Sequence, residues 1–456
     1  MSASAAKENK MGVQPVNKLL LSMSLPIMVS MIIQALYNIV DSIFVSKISE
    51  NAFTAVSLAF PVQNLMIALG AGTGVGINAL LSKSLGEKNF ERASKAARNG
   101  IFLTFINFII FIVFGLFFTE MFFNSQSSNQ EIIDYGVQYM KIITIFSIGI
   151  FGQLTGERLL QATGKTIYSM FTQGFGAIVN IILDPILIFG IGPFPKMGVA
   201  GAAAATVIGQ IIAMLLGIYF NVAKNKEINI NMLGFRPDFK IIKRIYAVGI
   251  PSIIMQSITS VMTFGMNKVL SNYSDTAQAV LGAYFKLQSF IFMPVFGLNN
   301  GLIPILSYNY GARKRKRMTS TIKYGVIYAC TIMVAGIIIM QLIPDVLLTM
   351  FKASDTMLAM GSTAMRIISL SFIFAGFGII VSSSLQALGH GVFSMFISIA
   401  RQLVVLLPAA LIIAKATNYS NVDYVWWSFP IAEIASFLCS VIFLRIIYKK
   451  VISVIE

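Results

Sequence analysis

Residues 19–40, 51–82, 99–119, 197–223, 245–267, 287–312 and 367–389 each run without a charged side chain. About 18 or more apolar residues suffice to cross a bilayer as a helix, and in lipid every backbone N–H and C=O must find its partner inside the segment. Only 11% of the 456 residues are charged and 56% are hydrophobic, against roughly 25% charged in a soluble domain. The pattern therefore predicts an all-α polytopic membrane protein and excludes an ordinary cytosolic enzyme. Twelve transmembrane helices are expected, near Leu19–Phe44, Ala52–Ser82, Asn99–Phe118, Ile132–Gly156, Ile167–Phe189, Met197–Asn221, Ile241–Leu270, Ala277–Tyr308, Tyr324–Pro344, Met360–Ala387, Val392–Ala414 and Tyr424–Tyr448.

A net charge of +16 raises the question of nucleic acid, but the basic residues collect on alternate loops. Lys83, Lys88, Arg92, Lys95 and Arg98 follow the second helix, Lys224 to Arg244 follow the sixth, and Arg313 to Arg317 follow the eighth. The opposite loops carry Glu50, Glu120, Glu131, Asp275, Asp345, Asp355 and Asp423. By the positive-inside rule this is topology: the basic loops and both termini are expected on the cytoplasmic side of a bacterial inner membrane, with no nucleic-acid partner. The polar start, Met1 to Lys18, lacks the cleavage pattern of a signal peptide. Two cysteines, Cys330 and Cys439, and one histidine, His390, leave no disulfide framework, no metal cluster and little for catalysis.

The chain is also duplicated. Pro26, Gln63, Ser82, Gly86, Gly100, Gln161 and Gly164 recur as Pro251, Gln288, Ser307, Gly311, Gly325, Gln386 and Gly389, and LQATGKTIYSMF from Leu160 pairs with LQALGHGVFSMF from Leu385, all at a spacing of 225. Each copy holds six helices, an even number, so both enter the membrane in the same orientation, as two pseudo-twofold-related lobes. The expected lobes are 1–228 and 229–456, an arrangement that alternating-access transporters use.

Polar groups inside the bilayer are functional candidates by default. Gln34, Tyr37, Asn38 and Asp41 form one stripe on the first helix, and Asn180 lies one turn before Asp184 on the fifth. At ~1.5 Å per residue, Asp41 is about 22 Å beyond Pro26 and Asp184 about 24 Å beyond Tyr168, so the two carboxylates reach similar depth. Brought together away from water they cannot both stay charged without cost, so a proton or a cation between them is expected. Asn180 and backbone carbonyls offer the neutral oxygens that a hard cation such as sodium prefers. The repeat does not copy this pair: 225 residues further on stand Met266 and Ala409. The second lobe instead carries Lys286, Arg401 and Glu433, which as a group are able to neutralise each other. Gly70, Gly72, Gly74 and Gly76 lack the Lys-Ser/Thr of a phosphate loop and read as close helix packing or a bending point, and Pro26, Pro61, Pro251 and Pro294 as breaks or hinges.

The segments YNIVDSIFVSKI from Tyr37, LGEKNFERA from Leu85, NIILDPILIFG from Asn180, GVAGAAAAT from Gly198 and NYGARKRKR from Asn309 resemble the multidrug and toxic compound extrusion (MATE) transporters, in their MepA-like bacterial branch. The resemblance implies a twelve-helix, two-lobed, cation-coupled antiporter, driven by sodium or protons, that exports hydrophobic and often cationic organic compounds; a monomer without other cofactors is expected. It assigns Asp41, Asn180 and Asp184 to an amino-terminal cation site, with Thr206 as a further member. Relatives with acids on the seventh and tenth helices differ from this chain, which has Gln256 and Thr259 on the seventh and no acid within the tenth. The alternative is a lipid-linked precursor flippase of related fold, which calls for a strongly basic cavity that these few, mixed charges do not supply.

Overall fold

The computed structural model describes residues 9–350 and 354–455; residues 1–8 of the polar start lie outside them. Among the described residues the secondary structure is helical, without strands. Ten helices among the described residues are long and apolar enough to span a membrane, or twelve with each of two bent pairs counted as one span. We label them α1 (Val16–Ser46), α2 (Glu50–Gly86), α3 (Phe90–Phe117), α4 (Gln130–Ile145 with Ile148–Ala162), α5 (Thr166–Phe189), α6 (Val199–Lys224), α7 (Phe239–Leu270), α8 (Asp275–Gly311), α9 (Arg315–Leu342), α10 (Asp355–Ser369 with Phe372–Ala387), α11 (Gly391–Ala416) and α12 (Asp423–Ile452).

The duplication is visible in individual hydrogen bonds. Ser49 caps α2 by accepting from the Ala52 N–H, and Ser274, 225 residues on, caps α8 by accepting from Ala277. Ser82 donates to the Ala162 carbonyl at 2.9 Å, and Ser307 donates to the Ala387 carbonyl at 2.8 Å. Two features repeat that hydropathy did not show. Short helices Thr119–Gln126 and Pro344–Thr349 follow α3 and α9, and α4 and α10 bend by 44° and 50° at corresponding places. Neither bend contains a proline. Both fall at serines, Ser147 and Ser371, where i to i−3 bonds replace the α-helical pattern.

The chain packs as two compact units, and these do not follow the halves 1–228 and 229–456. One unit holds Val29–Ile253 with Asn9, the other Lys10–Met28 with Ile254–Glu456. The start of α1 thus belongs with the second unit and the start of α7 with the first, and each helix changes unit just beyond its proline, Pro26 or Pro251. A proline in a helix interior removes one i to i−4 bond and crowds the preceding turn, so each helix is already weakened where it passes from one packing environment to the other.

Inside the first unit α2 is the central element. The alternating glycines let it be approached from several sides: a Cβ on Gly70 would meet Leu154, on Gly72 Ile253, on Gly74 Arg158 and on Gly76 the Ile245 carbonyl, each within 2.6 Å. Close packing, one of the two sequence readings of this run, is what the backbone shows.

Candidate functional site

In the first unit α5 and α6 pack backbone to backbone. A Cβ on Gly176 would lie 2.8 Å from the Gly209 carbonyl oxygen, and one on Gly201 2.5 Å from the Leu187 carbonyl oxygen. Small residues permit this approach where the bilayer gives no hydrophobic drive to association. The GAAAAT segment is therefore a packing surface first, and it carries Thr206 to the face of α5 that bears Asn180. The Asn180 amide donates to Thr206 Oγ1 at 3.3 Å and to Asp184 Oδ1 at 3.4 Å. Asp184 is fully buried and Asn180 nearly so. Pro185 follows at once, and its missing N–H withdraws the usual i+4 partner of the Ile181 carbonyl.

From α1, Asp41 is half-buried and lies close enough for its charge to act on Asp184. Both carboxylates also act on the hydroxyls of Tyr37 and Tyr139, so the four side chains occupy one electrostatic neighbourhood. Tyr139 in turn accepts a 2.8 Å bond from Gln63. Gln34, higher on the stripe, accepts from Gln173 of α5 at 2.8 Å. Asn38 does not share this face: it is exposed, because residues at i+3 and i+4 straddle a helical stripe and only Tyr37 falls on the packed edge. The expected stripe thus narrows to Gln34, Tyr37 and Asp41.

The chemistry follows from what these donors leave over. Asp41 Oδ1, Asn180 Oδ1 and Asp184 Oδ2 are buried and have no hydrogen-bond donor. Buried polar atoms are almost always paired, so these oxygens, two of them on α5 beside the Thr206 hydroxyl, are acceptors open to a donor, a proton or a cation. A proton on either carboxylate, or a hard monovalent cation, is chemistry that such oxygens suit.

Sequence reasoning missed a second polar group in this unit. Helix α4 was expected to end near Gly156, which put Glu157 and Arg158 in a loop; it continues to Ala162, and both charges are buried at 6% and 9% exposure. Gln153 donates to Glu157 Oε1 at 3.0 Å and Arg158 to Gln161 Oε1 at 3.0 Å. The i, i+4 spacing of Gln153 and Glu157 was the available signal; an adjacent Glu-Arg pair reads equally well as a helix end.

In the second unit Arg401 Nη1 donates to Glu433 Oε1 at 3.1 Å, on a stretch of α11, Ala400–Leu406, that adopts the wider π-helical turn. Lys286 is exposed. At the positions equivalent to the first-unit carboxylates, Met266 is fully buried and Ala409 partly so. His390 immediately precedes α11 and stacks on Phe393.

Comparison with known proteins places this architecture. The MatE family model matches residues 26–186 and 251–412, two segments whose starts again differ by 225. The chain belongs to the MATE family. The multidrug export protein MepA of Staphylococcus haemolyticus is 27% identical over 433 residues, 95% of this chain and 93% of the relative. An FAD transporter of Shewanella oneidensis is 25% identical and covers 87% of this chain and 88% of its own. A solved outward-facing structure of a multidrug resistance MATE family transporter superposes with a TM-score of 0.92 at 25% identity, over 98% of this chain and 99% of that one. The chain is accordingly a multi-pass membrane transporter of this family and not an enzyme, and the flippase alternative is not favoured.

Proposed function

We propose that this MATE protein is an antiporter of the bacterial inner membrane, in which inward movement of sodium or a proton drives outward movement of hydrophobic, often cationic, organic compounds by alternating access. The observation that supports it is the set of three donorless buried oxygens on Asp41, Asn180 and Asp184 beside Thr206. An ion bound there biases the protein only if its affinity differs between the two access states. Helix α1 suits that requirement, since it carries Asp41 and changes packing unit just beyond Pro26. The relatives' names, which include multidrug export, support the substrate class. We propose a monomer as the working unit.

The test uses purified protein in nucleotide-free liposomes. An imposed sodium or proton gradient is expected to move a fluorescent organic cation against its own gradient, and imposing each ion separately identifies the coupling ion. No cation movement under either gradient rejects the antiport reading.

Orientation is tested independently. With both termini cytoplasmic, a cysteine replacing Ser127 reacts with an impermeant maleimide added to intact cells, and one replacing Arg315 reacts only after permeabilisation. The reverse pattern inverts the topology.

A further inference from the structure

The segment that joins the two repeats is moored to the first unit rather than hanging between helices. Asn229 donates its backbone N–H to Ser94 Oγ at 3.0 Å, Asp238 donates its own to Asn99 Oδ1 at 2.9 Å, and the rings of Phe102 and Phe235 pack at 6.0 Å. Between this strap and the first turns of α3 lies a cavity of about 650 Å³, lined by Lys95, Arg98, Arg236, Asp238, Phe239 and Lys240 among others.

The charges of this cavity are unbalanced. Lys95 pairs with Glu91 at 2.7 Å, and Asp238 spends Oδ1 on the backbone N–H groups of Lys240 and Ile241 at the start of α7. Arg98, Arg236 and Lys240 form no salt bridge with a described residue. Arg98 Nε is moreover buried without any acceptor. The positive-inside rule explains a number of cations on this side of the membrane. It does not explain a cavity lined by several of them.

We infer that this cavity is a binding site for the phosphate group of an anionic phospholipid, held by Arg98 and Arg236 with Lys240 at its rim. A free phosphate shares the headgroup chemistry, but the surroundings favour a lipid. Phe239, on the cavity wall, is 80% exposed, and Leu233, on the same strap, is 85% exposed. Two large apolar side chains held out beside a basic cavity are the arrangement of a membrane-interface anchor, with rings and methyls among acyl chains and cations at headgroup level. The inference needs only that the chain is a membrane protein and does not depend on the coupling ion.

The experiment is native mass spectrometry of the purified full chain, exchanged into micelles containing phosphatidylglycerol or phosphatidylcholine. Phosphatidylglycerol is expected to be retained at least about tenfold better, a preference that Arg98→Gln combined with Arg236→Gln abolishes. Arg236→Gln alone, at an exposed position, is expected to weaken retention severalfold without affecting folding, so failure of the double variant to fold leaves a test in place. Phe239→Ser is expected to lower lipid retention, and excess inorganic phosphate to leave it unchanged. Equal retention of the two lipids, or an unchanged preference in Arg236→Gln, overturns the site. Displacement of the lipid by inorganic phosphate, together with indifference to Phe239→Ser, overturns the lipid assignment.

Discussion

Asp184→Asn is expected to abolish uphill export while leaving the protein folded and inserted. The amide keeps the shape of the carboxylate and its place beside Asn180 but takes up no proton and offers no full negative charge. One charge falling through 100 mV releases about 2.3 kcal/mol, which sustains roughly a fortyfold gradient of an uncharged substrate at 1.4 kcal/mol per tenfold; a monovalent organic cation exchanged one for one moves no net charge and is driven by the ion's concentration ratio instead. Without the ion the coupled gradient falls to parity, so in liposomes the accumulation ratio of an uncharged substrate drops from about forty to about one, and that of a monovalent organic cation drops from the imposed ion ratio to about one. Asp41→Asn is expected to do the same, because Asp41 is the second carboxylate of the proposed coupling site. Size-exclusion profiles of the variants are expected to match the parent's. Retention of the parent's resistance phenotype at equal expression by either variant removes the ion-coupling role from this site.

The largest effect on stability is expected at Gly76. A valine there puts Cβ 2.1 Å from the Ile245 carbonyl oxygen, and because that atom is backbone it cannot rotate aside. Helix α2 and the start of α7 must separate, at about 1–3 kcal/mol for a forced overpacking of this kind, and at a tight backbone contact the upper end applies. At roughly 2–4 °C per kcal/mol for a domain of 150–250 residues, detergent-solubilised Gly76→Val is expected to melt up to about 10 °C below the parent, with reduced yield. Gly282→Ala is the matched control: its Cβ meets nothing within 4 Å, and the exchange of glycine for alanine in a helix favours folding by up to about 1 kcal/mol. Equal melting temperatures for the two variants contradict the packing assigned to the glycine run.

Much of this protein is determined by the sequence itself. The charge-free runs dictate spanning helices because lipid offers no partner to an open backbone. The spacing of 225 dictates two copies, and the same spacing returns in the caps Ser49 and Ser274 and the bonds from Ser82 and Ser307. Asp41 and Asp184 stood out because carboxylates in an apolar run are expensive and few. Other features depend on neighbours distant in sequence. Hydropathy treats a bent span and a straight one alike, so the breaks at Ser147 and Ser371 carried no signal. Helical periodicity places Tyr37 and Asn38 on one stripe, and only the tertiary surroundings of α1 leave Tyr37 half-buried and Asn38 exposed. Nor does a linear reading show that Glu157 and Arg158 are buried, that Asn180 spends its amide on Asp184 and Thr206, or that three oxygens are left without donors. Which unit each end of α1 and α7 joins is likewise tertiary. A repeat in sequence records ancestry and topology, whereas a compact unit records which surfaces are in contact, and a helix weakened by a proline is free to divide itself between two.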